Sequence, residues 1–197
     1  SSMTSRAPAA SQAARTPEAV AVRAGRTTVT YAGLLAQAAQ LAQALQARKI
    51  GPECLVAVAL ERSVDLVVAL LGTWYAGAAF VPLDPTYPTE RLRYMLQDSQ
   101  PIALVTQAGL VARLPPTTVP LVVLEWQATD TGLAAQPAHD PQLRPSGLGP
   151  RNLAYVIYTS GSTGVPQALH KRAGQLLAEV GTLEQQFGAR VEGSEIL

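Results

Sequence analysis

Apolar and polar positions alternate with a period of two from Ala19 to Tyr31, AVAVRAGRTTVTY, and the alternation turns around Ala24-Gly25. That pattern predicts a β-hairpin. The period then lengthens. In YAGLLAQAAQLAQALQAR, Tyr31 to Arg48, Leu34, Leu41 and Leu45 recur with alanines between them, at the spacing of one helical face. CLVAVAL, starting at Cys54, is an apolar run of strand length. SVDLVVALLGTWY, Ser63 to Tyr75, is long enough for a buried helix and opens on a serine able to cap it. AAFVPL is a strand halted by prolines. TERLRYMLQDS opens after Pro88 with Thr89 as its expected cap, and Leu92, Met95 and Leu96 face one side. IALVT and VPLVVLEW are further strands, and LAYVIYTS, from Leu153, is the last. Gln127 to Pro150, rich in Pro, Gly, Asp and Ala, reads as a surface loop or linker.

Short apolar strands alternating with helices imply an α/β fold with a mostly parallel sheet flanked by helices on both faces. In such sheets ligands sit beyond the carboxyl ends of the strands. Composition agrees with a folded, well-buried chain: of 197 residues, 48% are hydrophobic and 15% charged. A formal net charge of +1 excludes a nucleic-acid partner recruited by bulk charge. No stretch reaches the roughly 18 uncharged apolar residues of a membrane span. The single cysteine, Cys54, cannot form an internal disulfide. It reads as a small buried hydrophobe, which fits a reducing cytoplasm. The opening residues 1–12 read as a flexible N-terminus, with Ser1-Ser2 before Met3 as a tag remnant.

The chemistry concentrates where LAYVIYTS runs into GSTGVP. Thr159, Ser160, Ser162 and Thr163 offer hydroxyls, while Gly161 and Gly164 permit positive φ and a close approach of backbone N–H groups to a ligand. Such a loop makes an anion-binding concavity, with phosphate as its natural guest. It is not a Walker A loop, because no Lys follows the last Gly, and it is not G-x-G-x-x-G. On the residues alone the favoured reading is an ordinary strand-to-helix loop of default turn residues. In VPLDP, Pro82 and Pro85 fix the backbone as a strand leaves the sheet, and Asp84 reads as a turn residue rather than a catalytic one. Trp74 and Tyr75 read as packing residues at a helix end.

Four blocks in order resemble the adenylate-forming enzymes, specifically the adenylation domain of nonribosomal peptide synthetases: RTPEAVAV, VTYAGLLAQAAQLAQAL, YAGAAFVPLDPTYPTERLRYMLQDSQP and LAYVIYTSGSTGVP. They cover roughly Ala13 to Pro166, and the expected fold is a partial N-terminal subdomain of that superfamily. The resemblance implies attack of a carboxylate on the α-phosphate of ATP and later transfer of the acyl group to a carrier-protein thiol. It places Thr159, Ser160, Gly161, Ser162, Thr163 and Gly164 against the β- and γ-phosphates. It implies ATP and Mg²⁺, with no metal ligand and no catalytic residue assigned.

After Pro166 the sequence departs from the family, with Gln167 in place of the usual Lys and Ala168 in place of Gly. The domain reading is therefore a segment 13–166 containing the loop 127–150, then a divergent segment 167–197. In that last segment Leu176, Leu177, Val180, Leu183 and Phe187 suit an amphipathic helix. The family's amino-acid pocket, adenine and ribose motifs and lid lysine are not found in these residues, so the chain alone is expected not to activate an amino acid. The expected role is a structural or interface element. The expected partners are adjacent synthetase domains (carrier protein, condensation or tailoring) or a second copy meeting exposed apolar surface. The alternatives are a fragment of an active adenylating enzyme and a non-catalytic ATP-binding module.

Overall fold

The computed structural model describes residues 15–125, 151–160, 164–172 and 175. The expected terminus 1–12, the loop 127–150 and the C-terminal amphipathic helix lie outside the described residues.

The hairpin forms as its alternation dictates. Strands β1 (Val20–Ala24) and β2 (Thr27–Thr30) pair antiparallel, and Gly25 takes φ 60°, which a side chain would strain. Thr30 ends β2 and also caps α1 (Tyr31–Ala47), its hydroxyl accepting from Gly33 N at 3.1 Å. Leu34, Leu41 and Leu45 are all buried. Strand β3 (Leu55–Ala59) precedes α2 (Val64–Tyr75), which Ser63 caps by accepting from Leu66 N at 3.3 Å.

Strand β4 (Ala79–Pro82) leads to α3 (Thr89–Ser99). Here the expected cap is displaced by one residue: Pro88 occupies the cap position and Thr89 is already helical, with no side-chain cap hydrogen bond. The proline ring holds φ at −53°, so the chain enters the helix one residue earlier than a Thr cap would allow. Leu92, Met95 and Leu96 form the buried face, as their spacing requires. Strand β5 (Ala103–Thr106), the short α4 (Ala108–Val111), β6 (Leu121–Val123), β7 (Leu153–Ser160) and β8 (Pro166–Arg172) complete the described elements.

Six strands form one sheet in the order β6-β5-β3-β4-β7-β8, parallel throughout except for the antiparallel β7–β8 pair. The sheet is mostly parallel and has helices on both faces. Val56, Val58, Phe80 and Val105 meet α1 and α2 on one side. Ala57, Val81, Leu104 and Val156 meet Leu92, Met95 and Leu96 of α3 on the other. Near-continuous apolar strands follow from burial on both faces. Cys54 is free and only half-buried at the margin of the first cluster, because it lies just before β3 rather than within it.

Strand β8 is the element that the hydrophobic pattern does not announce. PQALHKR has a largely exposed profile and forms a strand because it pairs residue by residue with β7, from Leu153↔Arg172 to Ser160↔Pro166. Strand formation at such a position depends on the partner more than on intrinsic preference.

Candidate functional site

The strand-borne loop sits at the carboxyl end of a parallel sheet, where open α/β sheets bind their ligands. It does not lead into a helix: the hydroxyl-rich segment connects the antiparallel strands β7 and β8. Thr159 and Ser160 end β7 with exposed side chains. Gly164 opens the return with φ 80°, and a Cβ placed there would meet nothing within 4 Å, so the backbone at this point borders open space. Gly161, Ser162 and Thr163 lie outside the described residues. Donors on both flanks of a turn, with room above them, suit an oxyanion. Thr159 Oγ1 makes a long contact to the carbonyl oxygen of Gln167, at 3.4 Å.

Gln167, opposite Thr159 in the strand register, is exposed and neutral. A lysine there would bring a mobile positive charge to the mouth of the loop, and Gln167 supplies only a dipole. Among the described residues no group of three or more His, Cys, Asp or Glu could hold a metal ion. Hydroxyl and backbone N–H donors of this kind suit phosphate oxygens.

Below the loop, Tyr158 is 8% exposed and its hydroxyl donates to Asp98 Oδ2 at 2.6 Å. Burial, then the hydrogen bond to Asp98 and its charge, push the Tyr158 pKa well above the usual 10, so the phenol keeps its proton. An open cavity of about 660 Å³ lies between α3 and the β7–β8 ribbon, with Tyr94, Asp98, Tyr158, Gln167 and His170 among its lining. Neither Tyr158 nor Asp98 stands out in the sequence. They are 60 residues apart, and only the fold brings them together.

Asp84 serves the turn, as read from its flanking prolines. Its Oδ1 accepts from Thr86 Oγ1 at 2.7 Å and from Thr86 N at 2.9 Å. Those bonds, led by the side-chain one, hold its carboxyl below the ordinary 3.8, and Arg62 and Arg91 add to the effect. A depressed pKa in the folded state contributes stability above the unfolded value and loses it as pH falls through the folded value. The stability advantage of the parent over Asp84→Asn should therefore be constant from pH 7 to about pH 5 and shrink below about pH 4. Urea titrations at each pH read this directly; an advantage that grows on acidification contradicts it. Trp74 and Tyr75 pack as expected: Tyr75 is buried, and Trp74 stands 5.5 Å from the Phe80 ring and donates Nε1–H to Ala154 O at 2.9 Å.

The model of the AMP-binding enzyme family matches residues 9–195. A linear gramicidin synthase of Brevibacillus parabrevis is 42% identical over 181 residues, which is 90% of this chain and 3% of that protein. The dimodular nonribosomal peptide synthase of Bacillus subtilis (strain 168) is 42% identical over 173 residues, 85% of this chain and 7% of that protein. Among solved structures, the nonribosomal peptide synthetase FmoA3 in its AMPPNP-bound form superposes with a TM-score of 0.78 at 28% identity, over 91% of this chain and 18% of that one. The N-terminal subdomain of Klebsiella oxytoca NpsA shares the fold, with a TM-score of 0.69 at 24% identity over 82% of this chain and 40% of that one. The chain thus spans a small part of each of these relatives.

Proposed function

The chain belongs to the AMP-binding enzyme family and corresponds to the N-terminal part of a nonribosomal peptide synthetase adenylation domain, and from that premise we propose that it supplies the phosphate-holding lobe of an ATP-dependent adenylate-forming site. The observation that carries this reading is the β7–β8 ribbon, which presents Thr159, Ser160 and Gly164 beyond the carboxyl end of the sheet. Thr159, Ser160, Gly161, Ser162, Thr163 and Gly164 hold the β- and γ-phosphates of ATP. Hydroxyl and backbone donors placed there orient the nucleotide and stabilise charge on the departing pyrophosphate. Mg²⁺ bound with the nucleotide would supply further neutralisation of that charge. The AMPPNP-bound form of FmoA3 supports an ATP-type ligand for this fold.

By itself the 197-residue chain does not complete amino-acid activation, since positioning one substrate gives little rate without the groups that position the other. It acts beside other synthetase domains as a structural or interface element. Ile157 and Leu169, a cross-strand pair on the ribbon, are 38% and 47% exposed, and Val165 is 49% exposed. An adjacent carrier, condensation or tailoring domain, or a second copy, would cover such side chains. The small share of the solved synthetase spanned by this chain favours a second reading, a part of an active enzyme whose other motifs lie elsewhere in a longer polypeptide.

Two measurements on the chain test the phosphate-holding role and the incompleteness of the site. Calorimetry with Mg·ATP should give weak binding, and no heat at millimolar nucleotide would remove the phosphate-holding role. Pyrophosphate exchange against a panel of amino acids should be absent; clear exchange by this chain alone would overturn the incomplete-site reading.

A further inference from the structure

Strand β7 outruns its parallel neighbour β4. Its registered pair with β4 is Phe80↔Tyr155, whereas its pairing with β8 continues to Ser160↔Pro166. β4 ends at Pro82, two residues past Phe80, so Tyr158, Thr159 and Ser160 extend beyond it as half of a two-stranded ribbon. An isolated two-stranded ribbon is marginal in water, and whatever it carries is placed only as well as the ribbon is anchored.

The base is anchored by apolar and backbone contacts. Trp74 Nε1 donates to Ala154 O, and the Phe80 ring stacks on Tyr155 with centroids 5.7 Å apart. Nearer the tip the anchor is polar. The Tyr158 ring meets Tyr94 edge-on at 6.5 Å, and its hydroxyl reaches Asp98 Oδ2 at 2.6 Å, with Met95 O at 3.5 Å. Asp98 belongs to the last turn of α3, and that helix is fixed to the sheet through Leu92, Met95 and Leu96. The bond thus runs from a rigid element to the residue immediately before Thr159.

We propose that Tyr158 and Asp98 are a positioning pair that holds the tip of the β7–β8 ribbon, and with it the hydroxyls of Thr159 and Ser160, in register for a bound phosphate. The ligand half of this proposal rests on the phosphate reading of the loop given above. Tyr158 does not itself meet the nucleotide, because its side chain points to α3 and its effect passes through the backbone of β7.

The test uses the whole chain and four variants: Tyr158→Phe, Asp98→Ala, their combination, and Asp98→Asn, which keeps an acceptor. Amide hydrogen exchange without ligand should be about fivefold faster or more across 157–160 and 164–168 in Tyr158→Phe and Asp98→Ala, and no faster in the combination. Amides of β3 and β5 should be unchanged, and Asp98→Asn should stay near the parent. Mg·ATP affinity by calorimetry should fall about fivefold in the first two variants while the melting temperature moves little. Unchanged exchange at the ribbon overturns the pair. Faster exchange throughout the chain, with a matching fall in melting temperature and normal affinity of the folded fraction, also overturns it by showing a merely structural bond. Absence of Mg·ATP binding by the parent overturns the ligand half together with the phosphate reading, and exchange at the ribbon then decides the anchoring half alone.

Discussion

Leu41→Ala should lower the unfolding free energy by about 2–5 kcal/mol, the range for truncating a fully buried leucine. Leu41 has no exposed surface and lies where α1 crosses α2. The crossing is close because α2 presents Gly72 to it. A Cβ added at Gly72 would stand 2.8 Å from Leu41 Cδ2 and 2.9 Å from both its Cβ and its Cγ. Contacts with Cβ and Cγ cannot be relieved by turning the end of the side chain, so the helices must separate. Gly72→Ala should therefore cost about 1–3 kcal/mol through overpacking, despite the roughly 1 kcal/mol that alanine offers over glycine in a helix. In the Leu41→Ala background two of those three contacts disappear and the new methyl fills part of the vacated space. The double variant should then be more stable than the sum of the single losses, by about 1–2 kcal/mol. Denaturant unfolding of the four proteins measures the coupling, and strict additivity would show that the two helices do not meet through these residues.

The second large effect concerns ligand rather than stability. Thr159→Val and Ser160→Ala remove hydroxyls at exposed positions where neither packs into the core. Each change should leave the melting temperature within a degree or two, since surface substitutions stay near ±0.5 kcal/mol. A hydrogen bond to a charged group is worth about 1.5–3 kcal/mol, so the combined variant should bind Mg·ATP at least about tenfold more weakly. Calorimetry on parent and variant in the same buffer checks this. Equal affinities would move the phosphate contacts away from the end of β7 and take the proposed site with them.

Much of the fold was legible because the features concerned are local. The turn at Gly25 needs positive φ, Ser63 needs only the amides of the next turn, and Leu34, Leu41 and Leu45 meet on one face by helical periodicity alone. Asp84 reads as a turn residue because its partner, Thr86, is two residues away. The cap of α3 was misplaced by one position because the fixed φ of Pro88 outweighs the capping preference of Thr89. For the site, the residue types left an anion-binding loop and an ordinary turn both open, and the ordered resemblance over four blocks is what implied the β- and γ-phosphates of ATP. The sequence did not announce β8. PQALHKR has no apolar period of its own and is a strand through its pairing with β7.

The amino-acid sequence by itself thus determined which segments are strands and helices wherever periodicity, caps and turns act within a few residues, and it placed a hydroxyl- and glycine-rich loop at the end of a buried strand. The tertiary structure alone decided the strand order β6-β5-β3-β4-β7-β8, the hairpin setting of that loop and the bond from Tyr158 to Asp98 across 60 residues. The physical reason is that sheet order and side-chain contacts between distant residues depend on which apolar faces find each other, and no local spacing encodes that.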